Sequence, residues 1–443
     1  MARKHSLLYP WRRLPARYVE LTTQTPTPWL SSIHKQNFEL HEKRLTARQT
    51  GGSSTNEDPI ADTAGCQRDV AEFQKLGINT VRVYSIDNSQ NHDACMEALA
   101  NAGIYLALDV NTPYYSLNRA SEQAVNQSYN EVYLQSVFAT VDMFSQYDNT
   151  LLFFSANEVI NADNNSFTAP YIKAVTRDIK AYIQARGYRD IPVGYSAADI
   201  DDNRYQMATY MNCGPDQVRS DFFAFNDYSW CDPSSFQQSG WAAKVQQYSN
   251  YSIPLFLSEY GCNTNTRTFE EVGALFNSEM TGVYSGGLVY EYSQESNNYG
   301  LVEINGNNVT ELPDFTAYQS ALANATPPSG NGGYLANGAA SACPPTGPAW
   351  STNTTDLPQI PAGAVKFFSQ GAGKGPGNDG STGSQTAGTP STGWVADTAN
   401  DTAAQSGSGS GGSGKKSGAA LARPAVGALP AIGALALVFA ALL

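Results

Sequence analysis

Between about residues 60 and 325 the chain alternates short β-rich apolar runs with segments of helical periodicity, and this alternation narrows the fold more than any other feature. The runs expected as strands are 78–86 (INTVRVYSI), 104–110 (IYLALDV), 150–158 (TLLFFSANE), 192–197 (PVGYSA), 221–228 (DFFAFNDY), 254–260 (PLFLSEY) and 286–293 (GGLVYEYS). Helical patterns fit between them, at about 91–102, 130–146, 169–186, 201–211, 241–250, 268–280 and 314–323. A further helix over 62–76 precedes the first strand, with Val70, Phe73 and Leu76 on one face and Gly77 as its stop. A closed (β/α)8 TIM barrel of roughly 250 residues needs one more strand, ahead of residue 62. Residues 30–50 offer only Asn37–Leu45, a weak candidate. The expected fold is therefore an α/β barrel whose first strand is missing or degraded. A doubly wound open sheet is disfavoured, because no Gly-rich phosphate loop follows any strand.

Charge and composition remove several functional classes. The net charge is −13, and no Lys/Arg cluster occurs beyond the first fifty residues, so nucleic acid is not an expected partner. An apolar content of 41% excludes global disorder. The six cysteines (Cys66, Cys95, Cys213, Cys231, Cys262 and Cys343) show no CxxC spacing and only four His accompany them, which points to disulfides and to no metal or cofactor. Past residue 326 the chain turns rich in Gly, Ser, Thr, Pro and Ala. Residues 326–369 read as a post-barrel segment and 370–414 as a disordered stalk. Lys415-Lys416 and the uncharged run Ala425–Leu443 follow. Small residues, a short spacer and an apolar tail form the signal for a glycosylphosphatidylinositol (GPI) anchor over 415–443, attached within Ser408–Gly414. Seven Asn-x-Ser/Thr sequons, at Asn126, Asn164, Asn250, Asn308, Asn324, Asn353 and Asn400, agree with a secreted glycoprotein on the outer face of the plasma membrane or in the cell wall. Met1–Thr50, however, contains no signal-peptide apolar run.

Two strand ends carry the chemistry. Glu158 closes the run Leu151-Leu152-Phe153-Phe154, and Glu259 closes Pro254-Leu255-Phe256-Leu257. Counting the missing strand as first, they end strands four and seven, and C-terminal strand ends face the cleft of such a barrel. A single Glu in this place reads equally as a structural carboxylate paired with Arg82. Two across one cleft match glycoside hydrolysis with retention, which needs carboxylates about 5–5.5 Å apart, one protonated and one ionised.

Asn157-Glu158 and Ser258-Glu259-Tyr260-Gly261 resemble the large glycosidase clan with its acid/base on strand four and its nucleophile on strand seven. More closely, NTVRVYSIDNSQNHDACMEAL, YLALDVNTP, NEVIN, PVGYSAAD, FAFNDYSWC, LFLSEYGC and MTGVYSGGLVYEYSQE resemble fungal β-1,3-glucanosyltransferases, glycoside hydrolase family 72, from about Gln49 to Ala323. The resemblance implies Glu158 as acid/base and Glu259 as nucleophile. It also implies glucan contacts at Gln49, Tyr84, Asp109, Asn157, Asn226, Tyr228 and Tyr290. The implied reaction cleaves an internal β-1,3 linkage of a donor glucan and transfers the glycosyl group to an acceptor chain, elongating wall glucan. Composition and spacing do not separate transfer from hydrolysis, so transfer comes from the family. Trp230 and Trp241 are candidate platforms for the acceptor. The alternatives are a β-1,3-glucan hydrolase, a weak or inactive glucan-binding wall protein, and a glycanase acting on another polymer.

Six cysteines allow fifteen pairings. Barrel adjacency favours Cys66–Cys95 and Cys231–Cys262, which leaves Cys213–Cys343, and the family's pattern agrees. Too few cysteines remain for the cysteine-rich carbohydrate-binding module of some members, so the chain resembles the shorter type. It departs from the family at the front. Members have a strand reading like Phe-Tyr-Ile-Arg-Gly-Val-x-Tyr-Gln-Pro-Gly-Gly, whereas Arg48-Gln49-Thr50-Gly51-Gly52 keeps only the Gln and both Gly. Residues 1–48 therefore read as an atypical segment from a mispredicted first exon, with the catalytic domain over 49–325. The alternative is an altered, cytosolic and poorly folding product.

Overall fold

The computed structural model describes residues 44–46 and 58–396, apart from 329–331, 334–337, 353–354, 379–382 and 386. Gln49, the expected anchor signal and its attachment residues, and most of Met1–Arg48 lie outside the described residues.

Among the described residues, eight parallel strands close into a barrel. They are β1 (Arg44–Thr46), β2 (Thr80–Val83), β3 (Tyr105–Asp109), β4 (Thr150–Asn157), β5 (Val193–Ala197), β6 (Phe222–Asp227), β7 (Leu255–Tyr260) and β8 (Tyr284–Val289). The first strand is present but degraded to three residues. It pairs with Thr80–Arg82 of β2 and with Leu288-Val289 of β8, which closes the ring. Its position overlaps the weak candidate at 37–45.

Helices at Thr63–Leu76, Asp93–Asn101, Glu131–Phe144, Ala169–Arg186, Arg204–Met211, Trp241–Tyr248 and Pro313–Asn324 form the outer layer. The pattern expected as one helix over 268–280 is two, Glu270–Leu275 and Ser278–Thr281, because Asn277 leaves helical geometry and caps the second through its side chain. Within the barrel region, the elements absent from the sequence reading include the short helix Glu122–Ser128 and a hairpin of β9 (Val302–Asn305) and β10 (Asn308–Glu311).

The interior follows from strand alternation. Phe154, Phe222 and Phe256 point into the lumen with ring centroids 5.4–6.0 Å apart, joined by Ala107, Leu152, Ala224 and Leu288. Successive residues on the other face, such as Phe153, Phe223 and Leu257, pack outward against the helices. Gly194 of β5 has no room for a side chain, since a Cβ there would lie 2.3 Å from the Phe222 carbonyl oxygen. The ladder slips register between Phe154 and Ala156 and between Phe225 and Asn226, just below the cleft. Such irregularities re-aim side chains at barrel rims.

Cys66–Cys95, Cys213–Cys343 and Cys231–Cys262 are all bonded. Beyond Cys343 the structure corrects the expectation that a stalk begins at 370. β11 (Leu357-Pro358) pairs with β12 (Trp394-Val395), and between them residues 362–370 pack on the outer helices Glu131–Phe144 and Ala169–Arg186. The Phe368 ring meets Phe138 and Tyr182, at 5.6 and 5.9 Å between centroids. Ala372 N–H donates to Tyr182 Oη and Asp142 Oδ2. The composition misled because glycine here serves close approach: a Cβ on Gly375 would lie 2.3 Å from the Asn88 carbonyl oxygen. Among the described residues no helix is long and apolar enough to cross a membrane.

Candidate active site

The apolar lumen ends in a layer of charge. Arg82, on β2, is fully buried, with its guanidinium 4.4 Å above the Phe154 ring centroid. Its Nε and Nη2 donate to the two oxygens of Asp109, at the end of β3, at 2.8 and 3.0 Å. Its Nη1 reaches Ser258 O at 3.3 Å and Glu259 Oε1 at 3.4 Å. A cation inside the run INTVRVYSI was the sequence signal for this group. Its position places positive charge directly beneath Glu259.

Glu259, on β7, has both oxygens occupied by phenols as well. Tyr84 Oη donates to Oε1 at 2.7 Å and Tyr228 Oη to Oε2 at 2.6 Å. Burial pushes the Glu259 carboxyl up to about 7. Arg82 opposes that rise, the charge of Glu158 adds to it, and the hydrogen bonds from Tyr228 and Tyr84 oppose it. Tyr84 and Tyr228 are themselves held well above the ordinary phenol range, chiefly by burial, so both remain protonated donors.

Glu158 follows the last residue of β4 and is half-buried. Its backbone has φ of +49°, a conformation that costs a non-glycine residue. Asn226 of β6 donates from Nδ2 to Glu158 Oε1 at 2.6 Å. The Asn226 amide is oriented from behind, because Ser258 Oγ donates to its Oδ1 at 2.9 Å and Ser258 and Ser196 share a 2.7 Å hydrogen bond. Asn157 Oδ1 is buried beside Glu158 without a hydrogen-bond partner. A wall of rings completes the cleft. Tyr290 lies 6.3 Å from both Tyr84 and Tyr228, and Tyr299 lies 5.3 Å from Tyr290 and 5.6 Å from Tyr228.

The structure thus brings together Glu158, Glu259, Tyr84, Asn157, Asn226, Tyr228 and Tyr290. Two expectations change. Trp230 and Trp241 are buried and packed on each other at 5.0 Å, so neither offers a face to a sugar. Asp109 is buried with both oxygens on Arg82, which makes it a counter-charge beneath the cleft. Sequence reasoning missed the serine pair Ser196 and Ser258, whose hydroxyls inside apolar strands were the available signal. It also missed Tyr299 and Arg119, which sit in loops with no periodicity to flag them.

This arrangement of two glutamates at the C-terminal ends of two barrel strands has known counterparts. The family model of glycoside hydrolase family 72, described as glucanosyltransferase, matches residues 32–326. The chain belongs to this family. The match reaches upstream of the domain boundary expected at residue 48. Among curated family 72 relatives, the 1,3-beta-glucanosyltransferase gel1 of Aspergillus fumigatus is 64% identical over 330 residues, covering 74% of this chain and 72% of that protein. The 1,3-beta-glucanosyltransferase GAS5 of Saccharomyces cerevisiae is 52% identical, covering 73% of this chain and 67% of that protein. A solved structure of Saccharomyces cerevisiae Gas2p, a Glu-to-Gln variant in complex with laminaritetraose and laminaripentaose, superposes with a TM-score of 0.65. It is 37% identical, with 72% of this chain and 71% of that chain covered.

Proposed function

We propose that this family 72 chain is a retaining β-1,3-glucanosyltransferase. Glu259 is its nucleophile and Glu158 its general acid and then base. The observation that carries the reading is the contrast between the two carboxylates. Glu259 is buried, and an arginine and two phenols hold its oxygens, so its ionised form is oriented for attack. Glu158 is half-exposed at the cleft wall, where it meets an entering or departing oxygen. The laminari-oligosaccharides held by Gas2p and the names of the relatives supply the substrate class.

In the first step an oxygen of Glu259 attacks the anomeric carbon of an internal β-1,3-linked glucose. Glu158 gives its proton to the departing 3-oxygen, and the reducing-end fragment leaves. In the second step the 3-hydroxyl of an acceptor's non-reducing end attacks the glycosyl–enzyme ester. Glu158 takes that hydroxyl's proton, Glu259 departs as carboxylate, and a longer β-1,3-glucan forms. Asn226 holds Glu158 in line for both transfers. Asn157 Oδ1, buried and unpartnered, is placed to accept from a sugar hydroxyl, and Tyr290 and Tyr299 give the glucan a ring surface. Full-length protein incubated with a laminari-oligosaccharide of one defined length is expected to yield products longer than the donor. Chromatography showing only shorter products would make the chain a hydrolase.

The same reading places the enzyme at the outer face of the plasma membrane. It rests on the small residues Ser408–Gly414 ahead of Lys415-Lys416 and the apolar run Ala425–Leu443. Phosphatidylinositol-specific phospholipase C is expected to release the protein from a membrane fraction in water-soluble form. Retention in the pellet counts against the anchor.

A further inference from the structure

Arg119 lies in the loop after β3, far in sequence from either glutamate. Its Nη1 donates to the backbone carbonyl of Glu158 at 2.8 Å. On the other side of the same residue, Glu158 N–H donates to Ser196 O at 2.9 Å. Two residues on, Ile160 N–H donates to Tyr195 Oη at 3.2 Å. These contacts, together with a 3.4 Å hydrogen bond from Asn165 Nδ2 to Val159 O, hold a stretch of backbone in which the φ of +49° at Glu158 is unfavourable for glutamate. Ser196 and Tyr195 belong to the rigid barrel. Arg119 reaches this backbone from the separate loop after β3.

That loop is braced by the segment beyond the barrel. Ser384 N–H donates to Tyr114 O at 2.9 Å, and Gln385 Nε2 donates to Ser116 O at 2.6 Å. Asn130 Nδ2 donates to Ser384 O at 2.9 Å, fixing the brace to the outer helix layer. A physical line therefore runs from Gln385 through the 114–119 loop to the backbone of Glu158.

We infer that Arg119 is a positioning residue for the acid/base, setting the peptide of Glu158 so that its carboxyl meets the glycosidic oxygen, and that the segment around Gln385 braces it in that task. The inference rests on the assignment of Glu158 as acid/base. An exposed arginine at a cleft mouth also fits direct contact with sugar, and the leaving group separates the two roles. A natural β-1,3 linkage needs a proton to depart, whereas a laminaritriosyl fluoride does not. A displaced acid slows only the former, and a lost sugar contact slows both.

The test measures kcat/KM of full-length Arg119→Ala, Arg119→Lys and Gln385→Ala on a reduced laminari-oligosaccharide and on β-laminaritriosyl fluoride. Glu158→Gln is assayed in parallel, and the melting temperature of each variant is recorded. For Arg119→Ala the expected result is a loss of about 20-fold on the oligosaccharide and under about 2-fold on the fluoride, since small misplacement of a catalytic group costs up to about 100-fold. Arg119→Lys recovers most of the loss, and Gln385→Ala moves the ratio of the two donors in the same direction. Equal losses of Arg119→Ala on both donors, or none on either, overturn the inference. An unchanged donor ratio in Gln385→Ala overturns the brace. If Glu158→Gln itself turns over the oligosaccharide at the normal rate, the assignment of the acid/base has failed instead.

Discussion

Glu259→Gln is expected to lose transfer activity by roughly 10⁴- to 10⁶-fold and, in the same molecule, to gain stability at alkaline pH. The first effect follows from chemistry, since an amide in place of the carboxylate cannot form the glycosyl ester. The second follows from where the carboxylate sits. Burial raises its pKa from an ordinary 4.5 to about 7, even with Arg82, Tyr228 and Tyr84 all favouring the ion. In the unfolded chain the group ionises near 4.5, so between 4.5 and 7 the folded state binds the extra proton. Stability therefore falls as pH rises through that window and is fully reduced above it. The size is about 3 kcal/mol. A neutral isostere carries no such penalty. The melting temperature of Glu259→Gln should exceed that of the natural protein by several degrees at pH 8 and match it at pH 4. An equal melting temperature at pH 8 would mean that Glu259 is not strained by its site, and residual turnover near the natural rate would remove it as nucleophile. An acidic residue that weakens the fold it sits in is the pattern of a group kept for chemistry.

Much of this molecule is legible in the chain because the two periods that build a barrel are local. The seven longer strands fall within their expected runs or overlap them, since continuous apolar stretches such as Leu151–Phe154 admit few other placements. Both glutamates were visible for the same reason: each ends an apolar run, where one charge alone reads equally as a structural partner of Arg82 but two across one cleft point to chemistry. The short β1 was hard to read because three residues carry no alternation. Its place in the ring is set by non-local pairing with β2 and β8. The packed segment beyond residue 370 was hidden by composition. Glycine and serine mark a flexible linker on average, but Gly375 and Ser384 lie where the chain must pass close to the barrel wall. Asp109 shows a third limit. A strand-end carboxylate in a glucan-binding family reads as a sugar contact, and only the fold shows that Arg82 holds both of its oxygens.

That last placement leads to an expected result for Asp109→Asn. Asp109 is buried, and burial raises its carboxyl while Arg82 opposes the rise, so the pair is held together by mutual charge more than by solvent. Removing one partner of such a pair leaves the other uncompensated, at a cost of about 3–5 kcal/mol. The melting temperature should fall accordingly at neutral pH. The kinetic consequence has a definite sign. With Asp109 neutral, the charge of Arg82 is no longer shared and acts on Glu259 alone, which favours the ionised nucleophile. With Glu259 as the proposed nucleophile, the acidic limb of kcat/KM should move to lower pH than in the natural protein. A residue that touched glucan would behave otherwise, raising KM and leaving the limb in place. Asp109→Asn with a normal melting temperature, an unmoved limb and a raised KM would return this carboxylate to the substrate.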